Sequence, residues 1–238
     1  MLDTNYKSIR HFSYLNKFLF IVPTIIIFLF FISLISLSSG AVSTTYNETF
    51  EYLLNFILNS SEIDPVKEKV ISNIRFPRII LSILVGASLA VSGASLQGIF
   101  KNPMADPGII GVSSGAAVGA VLVISLGFAS YSIFMLPVFS FIGGLSAALL
   151  VFLISRFASN SSSTAFILSG LAVSAFLNSL ISLILVSSKK FGELTSILNW
   201  LAGGFQDSRW EHIYITFPVI LVSLPFLLIY SNKINILS

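Results

Sequence analysis

Long uninterrupted runs of apolar residues, separated by short polar stretches, dominate the chain. Each run is close to the roughly 20 residues that an α-helix needs to cross the hydrocarbon core of a bilayer. None shows the strict apolar–polar alternation of a membrane-spanning β-strand. The pattern predicts about six transmembrane helices, which we place at 18–39, 79–100, 108–126, 132–155, 164–186 and 213–230.

The stretch 40–77 between the first two predicted spans is the longest polar part of the chain. Its apolar residues recur at helical spacing within 48–58, which predicts a helix at the surface. These residues are Phe50, Leu53, Leu54 and Ile57.

Small residues recur every four positions on two of the predicted spans. The first set is Gly86, Ala90, Ala94 and Gly98, and the second is Gly111, Gly115 and Gly119. Four-residue spacing places each set on one face of its helix. In lipid, small faces allow helices to approach closely, so helix packing is the main role we expect for them.

The composition agrees with a membrane protein. Of the 238 residues, 55% are hydrophobic and 10% are charged, whereas a soluble domain has about 25% charged residues. The predicted class is therefore an all-α polytopic membrane protein. The chain contains no cysteine, which excludes disulfides, thiol catalysis and cysteine-based metal sites.

Basic residues near the N-terminus set the predicted orientation. Residues 1–17 contain Lys7, Arg10, His11 and Lys17, and positive charge is retained on the cytoplasmic side. We therefore assign 1–17 to the cytoplasm and place the protein in the cell membrane. The loops that carry Lys101 and Arg156 are then also cytoplasmic.

Covalent and ion-coupled chemistry find little support in the residues. The segment GVSSG at 111–115 matches the G-x-S-x-G pattern of serine hydrolases. A nucleophilic Ser113 needs a base within reach, but the two histidines, His11 and His212, lie at opposite membrane faces in this topology.

No charged residue lies in the middle of a predicted span, which argues against a proton-driven carrier. The interior Ser, Thr, Asn and Gln residues either bond neighbouring helices or line a polar pathway.

The polar segment KNPMADPG, residues 101–108, stands between two apolar runs. Pro103 and Pro107 lack backbone donors and push Asn102 and Asp106 out of the helical region. Gly108 allows the next helix to start close to its neighbours, and Asp106 can face the N-terminus of that helix. The segment predicts a sharp turn between two packed helices.

The run from Arg75 to Ala120, RFPRIILSILVGASLAVSGASLQGIFKNPMADPGIIGVSSGAAVGA, resembles the FecCD-type, BtuC-like permeases. These are the membrane subunits of ABC importers for ferric siderophores, haem and vitamin B12. Weaker similarity continues over 166–180 and 199–205, where Gly204 departs from the usual Ser.

The resemblance implies a fold of about ten transmembrane helices, of which 18–238 would be an N-terminal part that stops before the cytoplasmic coupling helix. It implies a second permease subunit, identical or related, two ATPase subunits and an extracytoplasmic substrate-binding protein. ATP and Mg would be bound by the ATPases, and this chain would bind no cofactor, metal or nucleic acid.

The resemblance also implies roles for individual residues. Arg75 and Arg78, at the R-x-P-R match, would pair with acidic residues of the binding protein. The inner gate would consist of Asn102, Met104, Ser163 and Thr164. The pathway would be lined by Ser169, Ser174 and Asn178. The residues expected to form the turn and to pack the helices are Pro103, Asp106, Pro107, Gly108, Gly111 and Gly115.

The expected function is that of a permease subunit that imports a ferric siderophore by alternating access and performs no covalent chemistry. Haem or cobalamin is the alternative cargo within the same family. A secondary transporter that works without ATPases is the alternative of a different class, and an intramembrane hydrolase using Ser113 is a second one.

Overall fold

The computed structural model describes residues 2–40, 42, 44–58, 64–157, 163–188 and 190–237. Throughout these residues the regular structure is helical. The α-helices are α1 (Leu2–Ser38), α2 (Tyr46–Leu58), α3 (Pro65–Val70), α4 (Phe76–Phe100), α5 (Val112–Ser125), α6 (Met135–Phe157), α7 (Ser163–Ser187), α8 (Phe191–Ala202) and α9 (Trp210–Leu237). Five helical segments of the described chain are long and apolar enough to cross a membrane, which confirms the all-α polytopic class.

The chain divides into two compact units, Met1–Ile79 and Ile80–Ser238. In the first unit, the helix predicted over 48–58 is confirmed as α2. At its N-terminus the backbone amide of Thr45 donates to Oε2 of Glu48 at 2.8 Å, which is the half of a capping box that the glutamate contributes. Leu37, Tyr52 and Ile71 form the buried core of this unit.

The second predicted span begins earlier than residue 79. Asp64 caps α3 by accepting a hydrogen bond from the amide of Val66, and Pro65 occupies the first turn, where its missing donor costs nothing. One turn of π-helix, Ile71–Arg75, then joins α3 to α4. The helical segment therefore runs from Pro65 to Phe100, because the polar residues of its first turns do not interrupt the backbone hydrogen bonds.

In the second unit, α5 is shorter than the predicted span 108–126. Residues Pro107–Ile110 form a 3₁₀ turn, and Gly111 adopts a left-handed φ of 82° that separates this turn from α5. The 14 residues of α5 extend about 21 Å. Gly115 is in tight contact with α6, since a Cβ at this position would overlap the carbonyl oxygen of Gly143.

The sequence patterns did not predict α8. Ile197 of this 12-residue helix is fully buried and packs with Val121 of α5 and Ile181 of α7. Its apolar residues Phe191, Leu194, Ile197 and Leu201 recur at helical spacing, which could have indicated a short helix. The connection between α7 and α9 is therefore a helix packed on the bundle.

Candidate functional site

The turn that follows α4 begins with a Schellman motif. The amide of Lys101 bonds to the carbonyl of Gly98 at 3.4 Å, and the amide of Asn102 bonds to the carbonyl of Gln97 at 3.2 Å. Lys101 takes the left-handed conformation, with φ 49°, at the position where glycine is usual. Helix α4 therefore ends in a defined turn and does not fray.

Two Asx–Pro turns follow each other in this segment. Oδ1 of Asn102 accepts from the amide of Met104 at 2.9 Å, and Oδ1 of Asp106 accepts from the amide of Gly108 at 2.7 Å. Asp106 is extended, with φ −129° and ψ 142°, as expected for a residue before proline. The predicted sharp turn is confirmed, and Asp106 does cap the following 3₁₀ turn.

The end of this segment packs directly against α7. A Cβ on Gly170 would overlap the carbonyl oxygen of Ile109. Gly111 lies beside Ser174, whose Oγ would be 3.4 Å from a Cβ built on the glycine. The rings of Phe100 and Phe166 are 5.4 Å apart. The chain thus brings Gly111 and Ser174, two residues predicted from the sequence, to one contact.

The predicted pathway residues of α7 have three different environments. Ser169 is buried, and its hydroxyl donates to the carbonyl of Ala165 at 2.7 Å. Oγ of Ser174 is buried without a hydrogen-bond partner among the described residues. Asn178 is exposed. Ser174 and Asn178 are therefore the two whose side chains keep polar capacity for another group.

The predicted gate residues lie in the turn after α4 and in the first turn of α7. Met104 is 80% exposed at the tip of its turn, and Asn102 is half-buried because its side chain closes the first Asx–Pro turn. Thr164 is exposed in the first turn of α7. The side chain of Ser163 lies outside the described part of the structure.

Arg75 is buried within the first unit, at 6% exposure. Its Nη1 donates to the carbonyl of Leu37 and to Oγ1 of Thr44, both at 2.5 Å, and its Nη2 donates to the carbonyl of Val42. Carbonyls in the last turn of a helix lack intrahelical partners, so the guanidinium caps the end of α1. The predicted docking role of Arg75 stays a prediction, and it would require these bonds to open.

Arg78 lies three residues further along the same helix and is half-buried. Of the two arginines at the R-x-P-R match, it is the one with more accessible surface. The sequence pattern alone could not distinguish them, because their difference depends on where the end of α1 lies.

An ion pair joins α2 to α3. Nζ of Lys67 and Oε1 of Glu48 are 2.6 Å apart, and both side chains are partly exposed. The hydrogen bond from Lys67, followed by that from the Thr45 amide, lowers the pKa of Glu48 to about 2. The pair links α3 to α2, a contact that the sequence patterns did not predict.

Ser113 has no catalytic partner in the described structure. It is exposed in the first turn of α5. Nδ1 of His212 accepts a hydrogen bond from the amide of Arg209, 3.2 Å away. A serine nucleophile requires a base within hydrogen-bond reach, so this geometry gives the hydrolase alternative no support.

The helices and the packed turn define a multi-pass α-helical membrane protein. A model of the FecCD transport family matches residues 25–238, and the chain belongs to this family.

The names of the curated relatives state several different cargoes. The cobalamin import permease BtuC of Halobacterium salinarum is 42% identical over 71% of this chain and 44% of its own length. The molybdate import permease MolB of Haemophilus influenzae is 42% identical over 74% and 52%. The Fe(3+)-citrate import permease YfmD of Bacillus subtilis is 31% identical over 98% and 66%. The chain spans about half the length of the first two relatives.

A solved structure shows the same fold. It is described as an ABC transporter of metal-chelate type in an inward-facing conformation. The match has a TM-score of 0.76 and 36% identity, and it covers 92% of this chain and 64% of the other.

Proposed function

We propose that this chain forms part of the membrane pathway of an ATP-driven importer and moves a ferric chelate, a siderophore complex, by alternating access. The likeness to a metal-chelate ABC transporter over 92% of the chain is the observation that carries the proposal. Relatives named for Fe(3+)-citrate import support an iron cargo. The relatives named for cobalamin and haemin support the alternative cargoes.

The proposed assembly contains a second permease subunit, two ATPase subunits and a substrate-binding protein. ATP and Mg would be bound by the ATPases, and the chain itself would perform no covalent chemistry. The N-terminus would lie in the cytoplasm, as its basic residues favour. Charged residues are absent from the middle of the described spans, which agrees with transport driven by ATP hydrolysis on another subunit.

Within this assembly, the turn at 101–111 and the start of α7 would form the inner gate. Met104 supports this role because its side chain is 80% exposed between two successive Asx–Pro turns. The gate would include Asn102, Met104, Ser163 and Thr164. A movement of α7 would be transmitted to the turn through the contact of Gly170 with Ile109, since close-packed interfaces transmit displacement.

The pathway would run along α7, past Ser174 and Asn178. Small hydroxyl and amide groups suit a bulky chelate, because they offer hydrogen bonds without a fixed charge that would trap the cargo. Arg78 would pair with an acidic residue of the binding protein, because charge pairs orient the two proteins and accelerate their association. Arg75 would hold the end of α1 through its bonds to Leu37, Thr44 and Val42.

Co-purification tests the assembly. The tagged gene product is expressed with the ATPase and binding-protein genes of the same organism and purified in mild detergent. We expect the ATPase to be retained with the permease. A permease that transports its cargo in vesicles but retains no ATPase would support the secondary-transporter alternative instead.

A further inference from the structure

Helix α2 has a row of apolar side chains that no part of the described chain covers. Tyr46, Phe50 and Leu54 are 68%, 57% and 37% exposed. They stand four residues apart, so they lie along one side of the helix. Asn47 and Glu51, on the adjacent side, are also exposed. The helix therefore has an apolar stripe, defined by these three residues, beside a polar flank.

The rotation of α2 about its axis is fixed by contacts on its other sides. Thr49 and Tyr52 are buried at 2% and 8% exposure. Oε2 of Glu48 accepts a hydrogen bond from the amide of Thr45, and Oε1 of Glu48 pairs with Lys67. Rotation of the apolar stripe into the core would break these bonds and expose Thr49 and Tyr52.

The depth of α2 follows from the same core. Tyr52 packs with Leu37 and Ile71, and Leu37 lies in the last turn of the first membrane-spanning segment, Leu19–Ser38. The 20 residues of that segment rise about 30 Å as a helix, which matches the thickness of the hydrocarbon core, so we expect its last turn near one boundary of that core. Helix α2 is therefore placed at the boundary between hydrocarbon and headgroups, beside a span whose Ile32 and Ile35 are about half exposed.

We propose that α2 is an interfacial helix whose apolar stripe inserts into the lipid at the end of the first span. An amphipathic helix in this position buries its apolar face several ångströms into the headgroup boundary. Tyrosine is favoured at this depth because its ring is apolar and its hydroxyl is polar. Helix α2 would lie in the plane of the membrane surface and hold the first unit there, with Asn47 and Glu51 directed to water.

Site-directed spin labelling tests the proposal, and the chain helps because it contains no cysteine. Single variants Phe50→Cys and Leu54→Cys are labelled and compared with Asn47→Cys and Glu51→Cys on the polar flank. Each variant, as the full gene product, is reconstituted in phosphatidylethanolamine–phosphatidylglycerol vesicles. Collision rates are measured with oxygen, which partitions into lipid, and with a water-soluble nickel chelate.

We expect a several-fold higher ratio of oxygen to nickel collisions at 50 and 54 than at 47 and 51. Equal ratios at all four sites would place the stripe in water and overturn the proposal. Low collision rates with both reagents at 50 and 54 would mean that a protein surface covers the stripe, and this would overturn it too.

Discussion

Arg75 reaches back across 38 residues of sequence to donate a 2.5 Å hydrogen bond to the carbonyl oxygen of Leu37. The bond joins the π-helical turn before α4 to the last turn of α1. Gly40 makes room for it, since a Cβ there would lie 2.7 Å from Nη2 of Arg75. The arginine is therefore a clamp within the first unit.

Removing this clamp should loosen the end of α1. Arg75→Met keeps much of the side-chain volume but leaves the carbonyls of Leu37 and Val42 without their donor. Hydrogen bonds from charged groups contribute about 1.5–3 kcal/mol each, so we expect a loss of that order. Hydrogen exchange measured by mass spectrometry should show faster exchange in 37–44.

Arg75→Lys separates clamping from docking. Lysine retains the charge but lacks the planar fork that reaches several acceptors, so a clamp should weaken while a simple charge contact would survive. Exchange in 37–44 that matches the wild type in both variants would contradict the clamp.

The contact between α5 and α6 should not tolerate a methyl group. Gly115→Ala would place its Cβ 2.5 Å from the Cβ of Ala147 and against the backbone of Gly143. Overpacking of this kind costs about 1–3 kcal/mol. Gly93→Ala in α4 is the matched control, because a Cβ there meets nothing within 4 Å.

The midpoint of thermal unfolding in detergent is measured for both variants and for the wild type. We expect a lower midpoint for Gly115→Ala and an unchanged or slightly higher one for Gly93→Ala, since alanine favours helix over glycine by up to about 1 kcal/mol. Equal midpoints would mean that the two helices separate more easily than their contact indicates.

The second Asx–Pro turn should depend on an acceptor at position 106 and not on its charge. Asp106→Ala removes the partner of the Gly108 amide, and loss of such a cap costs about 1 kcal/mol. Asp106→Asn keeps an acceptor oxygen. Uptake in whole cells and thermal stability should fall for the alanine variant and be largely retained by the asparagine variant, and a reversed order would refute the turn as the reason.

Glu48 should release its proton at unusually low pH. Its pKa lies at about 2, below the ordinary value of 4.5, so the contribution of its bonds is complete above about pH 4.5 and is lost as the pH falls toward 2. Carbon-13 NMR of the glutamate carboxylates in nanodiscs follows the titration.

Lys67→Met should move the pKa of Glu48 back toward 4.5, because the hydrogen bond from Lys67 is the largest cause of the lowered pKa. High salt should act in the same direction, since the pair is partly exposed. An unchanged titration in Lys67→Met would contradict this assignment.

Much of the fold could be predicted from local patterns. The apolar runs indicate the membrane-spanning helices, and the Asn–Pro and Asp–Pro pairs indicate the turn at 101–108, because proline restricts its own backbone and that of the residue before it. The surface helix α2 follows from its periodicity. Each of these features is decided by residues close together in the sequence.

The remaining features depend on contacts between distant residues. Arg75 resembles any arginine at a membrane edge until the end of α1 is placed beside it. The early start of the second span depends on one π-helical turn, for which Ile71–Arg75 has no obvious pattern. The role of α8 depends on Ile197 meeting Val121 and Ile181, which no local pattern contains.

Transport in a defined system tests the central proposal most directly. The gene product is reconstituted in vesicles with its ATPase subunits, and a labelled ferric siderophore is supplied with the binding protein. We predict accumulation that requires both ATP hydrolysis and the binding protein and that persists when ion gradients are collapsed. Accumulation that proceeds without ATP and stops when the ion gradients are collapsed would contradict the importer mechanism.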